Sequence, residues 1–257
     1  MPRIIAVANQ KGGVGKTTTA LNLAAALADG GARVLLVDLD PQANCTAGLG
    51  VEARPGRSIY NVISDGLPLD QTIARTPVAG LMIAVSHIDL SAAELELVSA
   101  LAREYALKRA LDKAQLDYDF VLIDCPPSLG LLTLNALVAA HEVLIPVQCE
   151  FYALAGLAKL LDTVARIRTA LNSELKLAGA VLTMHDSRTR LSKEVVDEVT
   201  ANFPGRVFAT LVPRSVRVAE SPSHGLPVIL HDPQGPGAEA YRALAAELAG
   251  ARMEERA

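Results

Sequence analysis

Short runs of aliphatic and β-branched residues alternate along the chain with longer stretches in which apolar positions recur every three or four residues. Ile4–Ala8, Val34–Val37, Leu81–Val85, Phe120–Ile123, Val143–Val147, Ala180–Thr183 and Val207–Leu211 read as strands. Thr17–Asp29, Ala93–Leu116, Leu129–Ala140, Leu154–Leu171, Leu191–Ala201 and Ala238–Ala249 read as helices. The first helix gathers Leu21, Ala24, Ala25 and Ala28 on one face, and Gly30-Gly31 stops it. Strands that are apolar throughout, rather than at alternate positions, belong to a sheet covered on both faces, and helices between them imply parallel crossovers. The expectation is an α/β fold: a single doubly wound, mostly parallel twisted sheet with helices on both faces, one domain over residues 1–257. Gly48–Gly80, with several Gly and Pro, is the least regular stretch and is expected to be a surface excursion.

Chemistry concentrates in the turn between the first strand and the first helix, Gln10-Lys11-Gly12-Gly13-Val14-Gly15-Lys16-Thr17-Thr18. It meets the P-loop pattern at Gly15-Lys16-Thr17, although Gln10 stands where the pattern has its leading Gly. Gly12, Gly13 and Gly15 let backbone N–H groups curl around anionic oxygens, and the helix N-terminus adds its positive dipole end. Lys16 is then placed for β- and γ-phosphates, and the Thr17 hydroxyl for Mg²⁺. Lys11 is a second cation that a plain P-loop does not require. Asp38 and Asp40 close the second strand on the same face, where an open α/β sheet places its ligands. One of them can hold Mg²⁺ through water while the other orients an attacking water. Val121-Leu122-Ile123-Asp124 repeats the pattern of an apolar strand ending in an acid, with Pro126-Pro127 stiffening the exit.

The Lys-Gly-Gly-x-Gly-Lys-Thr loop resembles the deviant Walker A motif of the MinD/ParA ATPase superfamily. Lys11–Thr19, Val37–Gln42, Asp124–Gly130, Val212-Pro213-Arg214 and Ser221–Gly225 together resemble the ParA/Soj chromosome- and plasmid-partitioning ATPases over almost the whole chain. The resemblance implies an ATP hydrolase that uses ATP and Mg²⁺. Lys11, Lys16 and Asp40 are its catalytic residues, with Lys11 reaching across a dimer interface to the partner's nucleotide. Residues Lys11 to Thr18 (Gly12, Gly13, Val14, Gly15, Lys16 and Thr17 between them) cradle the nucleotide. Thr17, Asp38 and Asp124 serve the metal, and Met184 and Pro213 flank the adenine. It further implies an ATP-state homodimer that binds double-stranded DNA without reading sequence. A ParB-like centromere-binding partner stimulates the hydrolysis that releases it. Arg188 and Arg217 match positions of a basic stripe that contacts DNA phosphates. The chain starts ten residues before Lys11, so the short type without a helix-turn-helix extension is expected. The alternative is a MinD-like or cargo-positioning ATPase acting on a membrane or a protein assembly.

Composition narrows this picture. Half of the 257 residues (51%) are hydrophobic and only 4% aromatic, with no Trp, so the core is aliphatic and disorder is excluded. The net charge of −4 gives no global positive field, and any DNA contact must come from a local patch. His185–Val218 supplies six cations against four carboxylates. Cys45, Cys125 and Cys149 lack any Cys-x-x-Cys spacing and read as small, partly buried filler, which argues against an iron–sulfur relative. His185, His224 and His231 show no nucleophile constellation. The longest uncharged stretch, Cys125–Ala140, falls short of the ~20 apolar residues that span a bilayer, so a cytoplasmic protein is expected, and the resemblance implies that it is nucleoid-associated when ATP-bound. The run Ala238–Ala257 has three cations against four carboxylates, and Tyr241, Leu244 and Leu248 share a face that docks on the core. A basic amphipathic membrane tail is therefore not expected.

Overall fold

The computed structural model describes residues 1–150 and 153–254. Seven strands form one sheet: β1 (Arg3–Val7), β2 (Val34–Asp38), β3 (Ile73–Arg75), β4 (Leu81–Ala84), β5 (Phe120–Asp124), β6 (Glu142–Gln148) and β7 (Lys176–Thr183). Their spatial order is β3-β4-β2-β5-β1-β6-β7, parallel throughout except for the antiparallel edge pair β3–β4. The helices are α1 (Lys16–Asp29), α2 (Asn44–Gly48), α3 (Ile59–Ser64), α4 (Leu90–Glu96), α5 (Ala106–Lys113), α6 (Leu131–Ala139), α7 (Ala153–Ala170), α8 (Arg190–Asn202), α9 (Val216–Glu220), α10 (Val228–His231) and α11 (Pro236–Glu254).

The continuous apolar strands have a direct explanation. Ile4, Ala6, Leu35, Val37, Val121 and Ile123 face one core, while Ile5, Val7, Val34, Leu36, Phe120 and Leu122 face another on the opposite side of the sheet. In the second core α1, nearly all of it buried, shares the space with Tyr241, Leu244 and Leu248 of α11. Small alanines let the two helices and the sheet approach closely.

Three expectations need correction. Ala93–Leu116 is not one helix: α4 gives way to short 3₁₀ turns at Leu97–Ser99 and Arg103–Tyr105, with Ala102 left-handed (φ 49°), before α5. Asn135 of α6 fixes the break, since its amide donates to the Arg103 carbonyl (3.0 Å) and its oxygen accepts from Leu107 N–H (3.1 Å). Gly48–Gly80 is no mere surface excursion. Leu49, Ile59, Val62, Ile63 and Leu69 are buried, and the segment contributes α3 and the three-residue edge strand β3, too short to show a period in sequence.

Val207–Leu211 forms no strand; it touches β7 through an isolated bridge from Val207 to Ala180. The Glu247 carboxylate of α11 takes the N–H groups of Ala209 (2.8 Å) and Thr210 (3.1 Å), which a ladder would otherwise use. Gly179 permits the close approach of this segment. Its φ is +143°, and a Cβ there would lie 2.7 Å from the Arg206 carbonyl and 2.8 Å from the Phe208 ring. Gly179→Ala is therefore expected to cost about 2–4 kcal/mol through backbone strain and overpacking. Urea unfolding measures it, and a loss below about 0.5 kcal/mol would show that the segment is held elsewhere.

Candidate functional site

The loop after β1 is shaped by glycine at two points. Gly13 (φ +75°) and Gly15 (φ +86°) lie in the left-handed region, and Gly15 turns the chain directly into α1. The loop is tied to the sheet on both flanks: Asn9 donates to the Pro146 carbonyl (2.7 Å) and accepts from Lys11 N–H (3.1 Å), and the Thr183 hydroxyl donates to the Val14 carbonyl (2.8 Å). Lys16 is buried and bends back, so that its ammonium donates to the carbonyl of Lys11 (3.2 Å). Burial pushes its pKa below the ordinary lysine value, opposed by the charges of Asp124 and Asp40. Lys11 is anchored through its backbone, and among the described residues its ammonium enters no ion pair.

Asp38 and Asp124 are direct register partners on β2 and β5, and both are fully buried. Asp38 Oδ2 accepts from the N–H (2.8 Å) and hydroxyl (2.7 Å) of Thr46, and its Oδ1 from Asp40 N–H (3.3 Å). Burial nevertheless raises its pKa to about 6. Burial and then the neighbouring charge of Asp38 raise Asp124 to about 8, although hydrogen bonds from Thr17 and Cys45 pull it back. Among the described residues Asp124 Oδ1 is buried with no hydrogen-bond partner. An orphaned carboxylate oxygen beside a second carboxylate and the Thr17 hydroxyl suits a hard divalent cation with oxygen ligands. No group of three or more His, Cys, Asp or Glu is arranged to hold a metal among the described residues. The two carboxylates and the Thr17 hydroxyl fit a cation that keeps waters or phosphate oxygens as its other ligands, as Mg²⁺ does. Asp40 is almost fully buried; its Oδ1 accepts from Gln42 N–H (2.9 Å) and its carbonyl from the Ser86 hydroxyl (2.7 Å).

Met184 and Pro213 line one cavity of about 210 Å³ with Gly15 and Thr18 of the loop and with Val218 and Tyr241. Met184 holds a left-handed backbone (φ 52°), which turns the chain out of β7 beside the loop. Arg188 and Arg217 are exposed and each lies 2.7 Å from a carboxylate of its own segment, Asp186 and Glu220 respectively. The structure thus brings Lys11 to Thr18, Asp38, Asp40 and Asp124 to the C-terminal ends of β1, β2 and β5, whereas the two arginines lie on α9 and in the turn before α8. Sequence reasoning missed Asn9, Thr46, Ser86 and Thr183, ordinary polar residues whose importance comes only from the backbone and carboxylates they meet. All three cysteines are buried, Cys125 and Cys149 in the core as filler, whereas Cys45 also donates its thiol to Asp124 Oδ2 at 3.3 Å.

A glycine loop opening a helix from the first of several parallel strands, with acids at the ends of its neighbours, defines the P-loop nucleotide-binding class. Residues 2–177 match the family described as AAA domain. Soj of Bacillus subtilis, named sporulation initiation inhibitor protein, is 52% identical over 97% of this chain and 99% of its own. The chromosome-partitioning ATPase Soj of Thermus thermophilus is 51% identical over 98% and 97%. Among solved structures, one titled cobyrinic acid a,c-diamide synthase from Mycobacterium smegmatis, with bound ADP and magnesium, superposes with a TM-score of 0.88 at 41% identity over 99% of this chain and 97% of that one. The cell division ATPase MinD of Pyrococcus furiosus gives 0.82 at 27% identity over 98% and 100%. The chain belongs to the ParA/Soj family of chromosome-partitioning ATPases.

Both buried aspartates hold their proton more tightly in the folded chain than the 3.8 of a free side chain. Unfolding therefore releases protons, and this contribution to stability, full below pH ~4, is lost as pH rises to about 8. With EDTA present, Asp124→Asn should unfold at a higher temperature than wild type, by roughly 3–6 °C at pH 8.5 and by less at pH 5. Differential scanning fluorimetry at the two pH values checks this; equal gaps at both would contradict the buried, proton-retaining Asp124.

Proposed function

We propose that this chain is a DNA-partitioning ATPase that hydrolyses ATP to ADP and phosphate with Mg²⁺, and that two subunits join in the ATP state. The Lys11–Thr18 loop carries this reading. Its N–H groups and Lys16 receive the triphosphate, whose oxygens replace the Lys11 carbonyl as the partner of the Lys16 ammonium. Lys11, fixed by its backbone while its side chain stays unpaired among the described residues, reaches the nucleotide of the second subunit. Thr17, Asp38 and Asp124 hold the cation, directly or through water, and the bound cation neutralises charge on the phosphates. Asp40 orients the attacking water, held in place by the Gln42 N–H on its carboxylate. Met184 and Pro213 flank the adenine in the cavity beside Gly15 and Thr18.

The ATP dimer binds duplex DNA through phosphate contacts from Arg188 and Arg217. Their partners, Asp186 and Glu220, pose little obstacle, because an exposed ion pair is worth only about 0–1 kcal/mol. A ParB-like protein stimulates hydrolysis, and hydrolysis returns the chain to a form with low DNA affinity, free of the nucleoid. The name of the Mycobacterium smegmatis structure suggests an amide-forming ligase instead. Against it stand relatives at 46–52% identity over nearly the full chain, named Soj or ParA. A membrane-acting, MinD-like role is less well supported. Tyr241, Leu244 and Leu248 of α11 are buried in the core, and no helix among the described residues is long and apolar enough to cross a membrane. Residues 255–257 of the C-terminal run lie outside the described residues.

The test is binding to random-sequence duplex DNA across a salt titration with ATP, ADP or no nucleotide. Wild type should bind only with ATP. Asp40→Ala should stay on DNA because it cannot hydrolyse, and Lys11→Ala should not bind. Arg188→Glu should weaken binding at least tenfold and flatten the log–log salt slope by about two, one phosphate contact per subunit. ATP-dependent dimers that ignore DNA at low salt would remove the partitioning reading and leave the ATPase.

A further inference from the structure

Two neighbouring residues of the five-residue helix α2 each grip one of the paired aspartates: Thr46 holds Asp38 through its N–H and hydroxyl, and Cys45 holds Asp124. The Cys45 thiol is fully buried. It has two acceptors in reach, the Asp124 carboxylate at 3.3 Å and the backbone carbonyl of Thr17 at 3.8 Å. Its contact occupies Oδ2 and leaves Oδ1 as the oxygen without a protein partner.

We propose that Cys45 is a positioning residue for the cation site: its thiol fixes the rotation of the Asp124 carboxyl so that Oδ1 is the oxygen presented to Mg²⁺. The proposal rests on the nucleotide-and-Mg²⁺ reading above. A carboxyl on a short side chain can rotate about its Cβ–Cγ bond, and a donor on one oxygen removes that freedom before the cation arrives. Thr46 does the same for Asp38 with two bonds, so α2 acts as a clip across the ends of β2 and β5. The left-handed Ala43 (φ 52°) turns the chain into that helix directly after Asp40. A thiol is a weak donor, which sets the expected size of the effect. Outer partners of metal ligands are worth about 10–100-fold in metal affinity, and Cys45 belongs at the lower end.

The experiment is calorimetric binding of ADP to the full chain with Mg²⁺ and with EDTA, for wild type, Cys45→Ala and Cys45→Ser. The S–H infrared band is recorded alongside. Mg²⁺ should strengthen ADP binding by wild type, and Cys45→Ala should reduce that gain about tenfold while binding ADP in EDTA as wild type does. Cys45→Ser, which keeps a donor, should restore most of the gain. The Cys45 S–H band should lie at low frequency in wild type and shift in Asp124→Asn. A Mg²⁺ gain in Cys45→Ala equal to wild type, or an S–H band indifferent to Asp124→Asn, overturns the positioning role alone. ADP affinity weakened equally with and without Mg²⁺ in Cys45→Ala shows a packing role and also overturns it. Wild-type ADP binding that ignores Mg²⁺ overturns the underlying reading and this inference together.

Discussion

Two carboxylates side by side at the ends of adjacent strands, both sealed from water, set the terms for everything around them. Asp38 and Asp124 are register partners in a parallel sheet, where neighbouring strands lie only about 4.8 Å apart. Neither can ionise cheaply in that setting, which is why both carboxyls keep their protons to unusually high pH. The chain tolerates the pair through local compensation. Thr46 gives Asp38 two donors, Cys45 and Thr17 serve Asp124, and the Lys16 ammonium supplies a nearby positive charge. Among the described residues Asp124 Oδ1 is left over, an acceptor aimed at no protein donor.

The same constraint links the loop to the carboxylates. Lys16 is buried where its charge is costly, and its bond to the Lys11 carbonyl is a neutral substitute for an anionic partner. A site with an under-satisfied cation on one side and under-satisfied acids on the other accepts a phosphate and a divalent cation together more readily than either alone. Charge couples the two sides, because a ligand pair that neutralises both offsets the cost of burying Lys16 and the two aspartates.

Farther from this centre the electrostatics change character. Arg188, Arg217 and Arg214 sit at the surface, each against a single carboxylate and open to solvent. Screening makes such pairs weak and exchangeable. The molecule thus separates a desolvated site of buried acids and Lys16 from a solvent-facing rim of exposed ion pairs.

Much of this was legible in the amino-acid sequence. The alternation of apolar strand runs with helical periods specified a parallel α/β sheet, because strands facing two cores must be apolar at every position. Glycines with a lysine and threonine marked the loop, because close backbone approach to an anion tolerates few other residues. Tertiary contact decided the rest. Asn135 broke a long helical period, and Glu247 took the donors of Ala209 and Thr210 so that no strand formed there. Cys45 and Thr46 became partners of aspartates 79 and 8 positions away. Periodicity reports which face of an element meets the core, whereas a single hydrogen bond across the fold leaves no periodic trace. The sequence therefore determined the parallel strands, the loop and the acids; the folded chain alone decided the edge strand, which donors hold the acids and which oxygen stays free.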